Sequence, residues 1–85
     1  MATWKQVKLQ KAIRLGGWYC QICGCYLGDK GRYANGHHID NNHDHININN
    51  CELRCVDCEQ WAHQIRKDGN PSKKQIDEWL RNGRW

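Results

Sequence analysis

Two cysteine pairs, Cys20-Gln-Ile-Cys23 and Cys55-Val-Asp-Cys58, restrict what this chain can fold into more than any other feature. In each pair two residues separate the sulfurs, and Gly24 permits the tight turn that aims the first pair at one ion. Four thiolates fill the tetrahedral shell of zinc, the signature of a structural rather than a catalytic site. Residues 24–54, 31 in all, lie between the pairs, so the staple closes a loop around them. A chain of 85 residues buries little surface and needs such a cross-link. Zinc binding then contributes on the order of 10 kcal/mol to folding. Cys25 and Cys51 are read as buried small side chains, since one residue between Cys23 and Cys25 is poor spacing for two ligands.

The opening residues lack the apolar run of a signal peptide, and no stretch is long enough to span a membrane. The expectation is therefore a cytoplasmic protein with reduced thiols, which favours metal over disulfides. Thirteen Lys and Arg against nine Asp and Glu give a net charge of +4, a mild lean toward a polyanionic partner.

The chain reads as a single small, zinc-stabilised α+β domain over 1–85: an N-terminal helix in 1–17, zinc knuckles and core in 18–67, a C-terminal helix in 72–82. Thr3 and Gln6 form a capping box for a helix over Trp4–Leu15, stopped by Gly16-Gly17. Lys5, Lys8, Lys11 and Arg14 share one broad side of it, as a solvated face or a phosphate-contacting one. A turn at Gly28–Gly31 precedes a strand over Arg32–Ile39, and Cys51–Arg54 returns as a second strand. Val56–Lys67 fits a helix. Ser72 and Gln75 cap a last one running to about Arg81, with Ile76, Trp79 and Leu80 on one face. The five Trp, at 4, 18, 61, 79 and 85, stand in for an absent Phe as core, with Trp85 expected to be exposed.

The staple encloses Gly36-His37-His38-Ile39 and Asn50, and beyond Cys58 come Glu59 and His63, four residues apart on one helix face. Paired imidazoles facing a Glu and a His make a metal site with a spare imidazole. His43 and His45, in an Asn-rich loop, are expected to be solvated.

From Cys20 to His63 these residues resemble the HNH, or ββα-metal, nuclease family. Its pattern is a Cys-x-x-Cys knuckle, an Asp-His-Ile or His-His segment, then Asn-Leu-x-x-Leu-Cys-x-x-Cys-His. Here the chain has Cys20-x-x-Cys23, His37-His38-Ile39 and Asn50-Cys51-Glu52-Leu53-Arg54-Cys55-Val56-Asp57-Cys58-Glu59. The resemblance implies a ββα-metal core flanked by the two outer helices, and a metal-dependent endonuclease that hydrolyses DNA phosphodiester bonds. It makes His38 the general base, His37 a metal ligand, Asn50 the residue that steadies the loop behind His38, and His63 a further ligand. Glu59 stands where the family has His, and a carboxylate there favours a harder ion such as Mg²⁺ or Mn²⁺ over Zn²⁺, with Mg²⁺, Mn²⁺, Ni²⁺ and Zn²⁺ all candidates for the catalytic ion. Asp40 replaces the usual Pro. Double-stranded DNA is the expected substrate, with RNA left open, and Arg32, Arg54 and Arg66 join the first-helix cations as candidate phosphate contacts. One site per chain nicks; cutting both strands takes a homodimer or two events. Stand-alone members of this size resemble phage, mobile-element or restriction-associated nucleases, and a phage origin would place the chain in host cytoplasm. The competing expectation is a zinc-ribbon module that binds nucleic acid or another partner without cutting.

Phosphodiester hydrolysis asks for these residue types. An imidazole, with an ordinary pKa of about 6.5, can activate water near neutral pH. A divalent ion offsets the charge that builds on the phosphorane and leaving oxygen. Neighbouring residues on a regular strand face opposite ways, so the spacing predicts that His37 and His38 sit where the strand becomes irregular.

Overall fold

The cap expected at Thr3 forms: its hydroxyl accepts from the Gln6 N–H, and the Gln6 side chain accepts from the Thr3 N–H. In the computed structural model, which describes residues 3–83, this opens α1 over Trp4–Leu15. Gly16 ends the helix in the left-handed region at φ +83°, and the Gly17 N–H reaches back to the Ala12 carbonyl at 2.8 Å. That conformation costs glycine nothing and satisfies carbonyls the helix leaves open. Both ends lie where the sequence places them.

The chain then folds into a small hairpin whose tip is the first cysteine knuckle. Leu27 N–H bonds the Trp18 carbonyl at 2.8 Å, and Cys20 N–H bonds that of Cys25 at 2.9 Å. A 3₁₀ turn follows at Asp29–Gly31. The turn expected at Gly28–Gly31 is thus present, but the chain keeps turning through Arg32 and Tyr33, which the sequence assigned to strand, so β1 covers only Asn35–His38. β2, Cys51–Arg54, pairs with it antiparallel, setting His37 opposite Glu52 and His38 opposite Cys51. α2 spans Val56–Ile65, ending two residues before the expected Lys67. α3 runs from Lys73 to Arg81, with the Ser72–Gln75 capping box in place.

The element order explains where the core sits. α1 packs its Val7 and Ala12 side toward the sheet, and α2 brings Cys58 and Ala62 to Leu27, Cys51 and Leu53, all fully buried. Cys51 is the buried small side chain expected of it. Trp61 and Trp79 lie face to face, centroids 4.1 Å apart and planes 3° from parallel. This stack ties α3 to α2, worth about 1 kcal/mol beyond its area. Ile76 is partly buried beside it, while Leu80 is left exposed. Trp4 and Trp18 are partly buried, and Trp85 lies outside the described residues. The architecture is thus a small α+β fold of three helices and a two-stranded antiparallel sheet. Among the described residues, no helix is long and apolar enough to cross a membrane.

Candidate metal centre

The knuckle hairpin and the start of α2 bring five thiols together. The sulfurs of Cys20, Cys23, Cys25 and Cys55 lie within 4.8 Å of one another. Cys58 is fully buried and hydrogen-bonds Cys20. On a tetrahedral zinc with bonds near 2.3 Å, neighbouring sulfurs sit about 3.8 Å apart; Cys23 and Cys55 are 3.9 Å apart. The cluster can therefore hold a zinc ion. Cys20 is drawn down to about 4, chiefly by its hydrogen bond from Cys58 with help from backbone bonds and against the opposing effect of burial. Cys25 corrects the reading that made it a bystander. Gly24, at φ +80°, reverses the chain between it and Cys23 and returns its sulfur to the cluster. Its thiol is pushed up to about 12 by burial and by the neighbouring Cys23 and Cys55.

The second cluster joins β1 to α2. Donor atoms of His37, Glu59 and His63 lie within 4.8 Å of one another. His37 is buried in the strand. Its Nε2 donates to Asn70 Oδ1 at 2.9 Å, and its Nδ1 faces Glu59 Oε1 at 3.5 Å. Asn70 is held in turn by its own bond to the Ile39 carbonyl at 2.8 Å. Glu59 divides its oxygens: Oε2 meets Arg54 at 3.5 Å, and Oε1 faces both imidazoles, bonding His63 Nε2. Burial pushes the Glu59 carboxyl up, but His37, Arg54 and His63 together hold it below its ordinary value. Gly69 lies against His63, where a Cβ would come 2.4 Å from its Cε1. Cis donors around an ion with bonds near 2.1 Å sit about 3.0–3.4 Å apart, so a small closing motion would let the three ligate one ion. Two imidazoles and one carboxylate can hold a divalent ion and leave open positions on it.

His38 is the last residue of β1, so strand alternation holds through both histidines, with no irregularity needed. His37 turns toward α2 and His38 toward α1, where Trp4 stacks on it at 3.7 Å. The two meet at the strand's end, where a pocket of about 160 Å³ is lined by His37, His38, Asn41, His43, Glu59 and His63. His38 Nε2 is buried there without a hydrogen-bond partner. Burial lowers the His38 pKa, and the nearby His43 lowers it further. Asn50, buried, accepts from the Asp40 N–H at 2.9 Å and donates to the His45 carbonyl at 3.1 Å. It closes the loop that carries His43.

His43 and His45 are exposed, as expected, though His43 also stacks on His38 at 4.7 Å and His45 is bonded to Asp40 at 2.6 Å. The expectation for Arg54 needs correction. Arg54 is 1% exposed and committed to Glu52 and Glu59, so its guanidinium is not free to meet a phosphate. Arg32 and Arg66 are exposed. Lys5 and Lys8 line a cleft described below, while Arg14 lies on a separate surface with Ile13 and Ile48. Lys11 lies near Cys51. Asn70 and Trp4 were missed as site residues. The Asp68-Gly69-Asn70-Pro71 stretch carries only a helix-stop signal, and Trp4 lies outside the recognisable motif.

No protein-family profile, curated protein or solved structure matches this chain.

Proposed function

We propose that this chain is a metal-dependent DNA endonuclease of the HNH, ββα-metal, class. One observation carries the reading. His37, Glu59 and His63 converge from strand and helix into a pocket that also contains His38, an imidazole outside the three. A divalent ion on the three would supply positive charge to the phosphorane and the leaving oxygen. Within that arrangement His38 takes a proton from the attacking water, and its lowered pKa keeps it neutral for the task. Asn50 steadies the loop that carries His43, and Asn70 fixes the His37 tautomer with Nδ1 toward the trio. The thiol cluster anchors the first turn of α2, and so Glu59, as a structural zinc site would.

A second reading has its own observation. His37 is bonded to Asn70 and His63 to Glu59 without a metal, as they would be in a zinc-ribbon module that binds nucleic acid without cutting. Supercoiled-plasmid relaxation with Mg²⁺, Mn²⁺, Ni²⁺ or EDTA separates the two. Nicking that needs metal and disappears in His38→Ala supports the nuclease. Absence of cleavage in every metal, from folded zinc-loaded protein, favours the module.

A further inference from the structure

A cleft of about 560 Å³ lies between α1 and the turn that follows the cysteine knuckle. Its floor is apolar, made by Leu9, which is 48% exposed, and by Trp18. Lys5, Lys8 and Lys30 stand around it. Among the described residues no ion pair engages these lysines. No carboxylate lines the cleft; Asp29, next to Lys30 in the chain, is bonded to the Tyr26 hydroxyl at 2.7 Å.

Lys30 holds a left-handed backbone, φ +57° and ψ +23°, in the tight turn between Gly28 and Gly31. That conformation is costly for a side chain with a Cβ. Among the described residues only Asn41, which lines the His38 pocket, shares it without being glycine. The cleft also adjoins that pocket. Lys8 packs its aliphatic stem on Gly36, where a Cβ would lie 2.8 Å from Lys8 Cδ. One helical turn earlier, Trp4 donates to the Gly36 carbonyl at 3.2 Å and stacks on His38. Lys8 and Trp4 thus connect the cleft to the His38 pocket across a single turn of α1.

We propose that this cleft receives one unstacked base of a DNA strand, with Lys5, Lys8 and Lys30 on its flanking phosphates and a neighbouring phosphate reaching the His38 pocket. The proposal rests on the nuclease reading and narrows its substrate to single-stranded DNA or DNA with an unpaired base. A phosphate alone would leave the apolar floor unused, and an apolar segment alone would leave three lysines without counter-charge. A duplex keeps its bases inside the stack and offers this surface only phosphates. A nucleotide with its base turned out meets both floor and rim, as single-strand binders do with aromatic floors and cationic margins.

The test is fluorescence anisotropy without added divalent metal, using a short labelled oligothymidylate, a strand of equal length and charge carrying abasic sites, and a duplex. The base-bearing strand is expected to bind about tenfold tighter than the abasic one. Lys30→Gly removes a charge and relieves the left-handed strain, so its affinity should fall while its melting temperature holds or rises. Leu9→Asp, at an exposed helical position, should abolish the preference for bases and keep the fold. Equal affinity for base-bearing and abasic strands, or binding to neither, overturns the proposal. So does unaltered binding by both variants, and an acidic peptide that competes while bases make no difference would identify the other occupant. The nuclease reading fails separately. A protein that prefers bases yet never cuts in Mg²⁺ or Mn²⁺ keeps the cleft and loses the activity; one that cuts without base preference loses the cleft alone.

Discussion

The His38 imidazole lies flat on the Trp4 indole, with centroids 3.7 Å apart and planes 14° from parallel. His43 stacks on the same imidazole at 4.7 Å, also 14° from parallel. Two rings this close to one imidazole must occupy opposite faces, so His38 is sandwiched. A helix outside the motif therefore holds the residue proposed as the base. Trp4→Phe keeps a ring and loses only the bond to Gly36, so it should retain most cleavage and cost about 1 kcal/mol. Trp4→Ala frees the imidazole and should slow plasmid nicking by at least tenfold while zinc content stays constant. Equal nicking rates for the two variants would show that the stack does not position His38.

Five thiols for four zinc positions make a distinct expectation. Cys25→Ser leaves both Cys-x-x-Cys pairs intact and should hold one zinc per chain. Cys58→Ser should also hold zinc, more weakly, because Cys25 sits close enough to take the vacant place. The double variant Cys25→Ser/Cys58→Ser should lose the ion and its cooperative melt, since metal binding is part of the folding free energy. Zinc content by mass spectrometry and release to a chromophoric chelator decide the matter. Complete loss of zinc from Cys58→Ser alone would show that Cys25 cannot substitute.

These residues also show what a sequence discloses. Capping boxes at Thr3 and Ser72, and the stop at Gly16, are local: each depends on residues within one turn, and each formed where expected. The two Cys-x-x-Cys pairs and the Glu59–His63 couple were legible because short fixed spacings bring their side chains together, whereas His37 came from the family resemblance and meets Glu59 only across the fold. Cys25 was not, because its return to the cluster depends on the left-handed Gly24 rather than on ligand spacing. Arg54 reads as a surface cation until β2 buries it beneath Glu52 and Glu59. Trp4 and Asn70 reach the site from 32 and 33 residues away along the chain, and no local pattern encodes such contacts.

The pH dependence has a definite sign. A general base works unprotonated, so cleavage falls as pH drops through its pKa. Burial and His43 hold the His38 pKa below 6.5, which places the acid limb below that pH at saturating metal. His43→Asn removes a neighbour that disfavours the protonated form, so the His38 pKa should rise and the limb move to higher pH. The measurement is the single-turnover nicking rate against pH for both proteins at saturating Mn²⁺. An unmoved limb in His43→Asn would assign it to another group.

Asn70 offers the sharpest separation between a metal site and a self-satisfied hydrogen-bond cluster. Its Oδ1 accepts from His37 Nε2 and its Nδ2 donates to the Ile39 carbonyl, so it fixes both the tautomer of His37 and the position of the strand end. Outer partners of ligating histidines commonly change metal affinity by 10- to 100-fold. Asn70→Ala should therefore raise the Mn²⁺ concentration needed for half-maximal nicking by about that factor, with thiol-bound zinc unaffected. Gly69→Ala acts on the neighbouring ligand: its Cβ would displace the His63 ring, and the strained φ of +71° adds a folding cost. It should weaken metal activation too, with a lower melting temperature that Asn70→Ala shares only in part. If both variants nick at native Mn²⁺ concentrations, His37 and His63 are not the ligands, and the trio is a structural cluster.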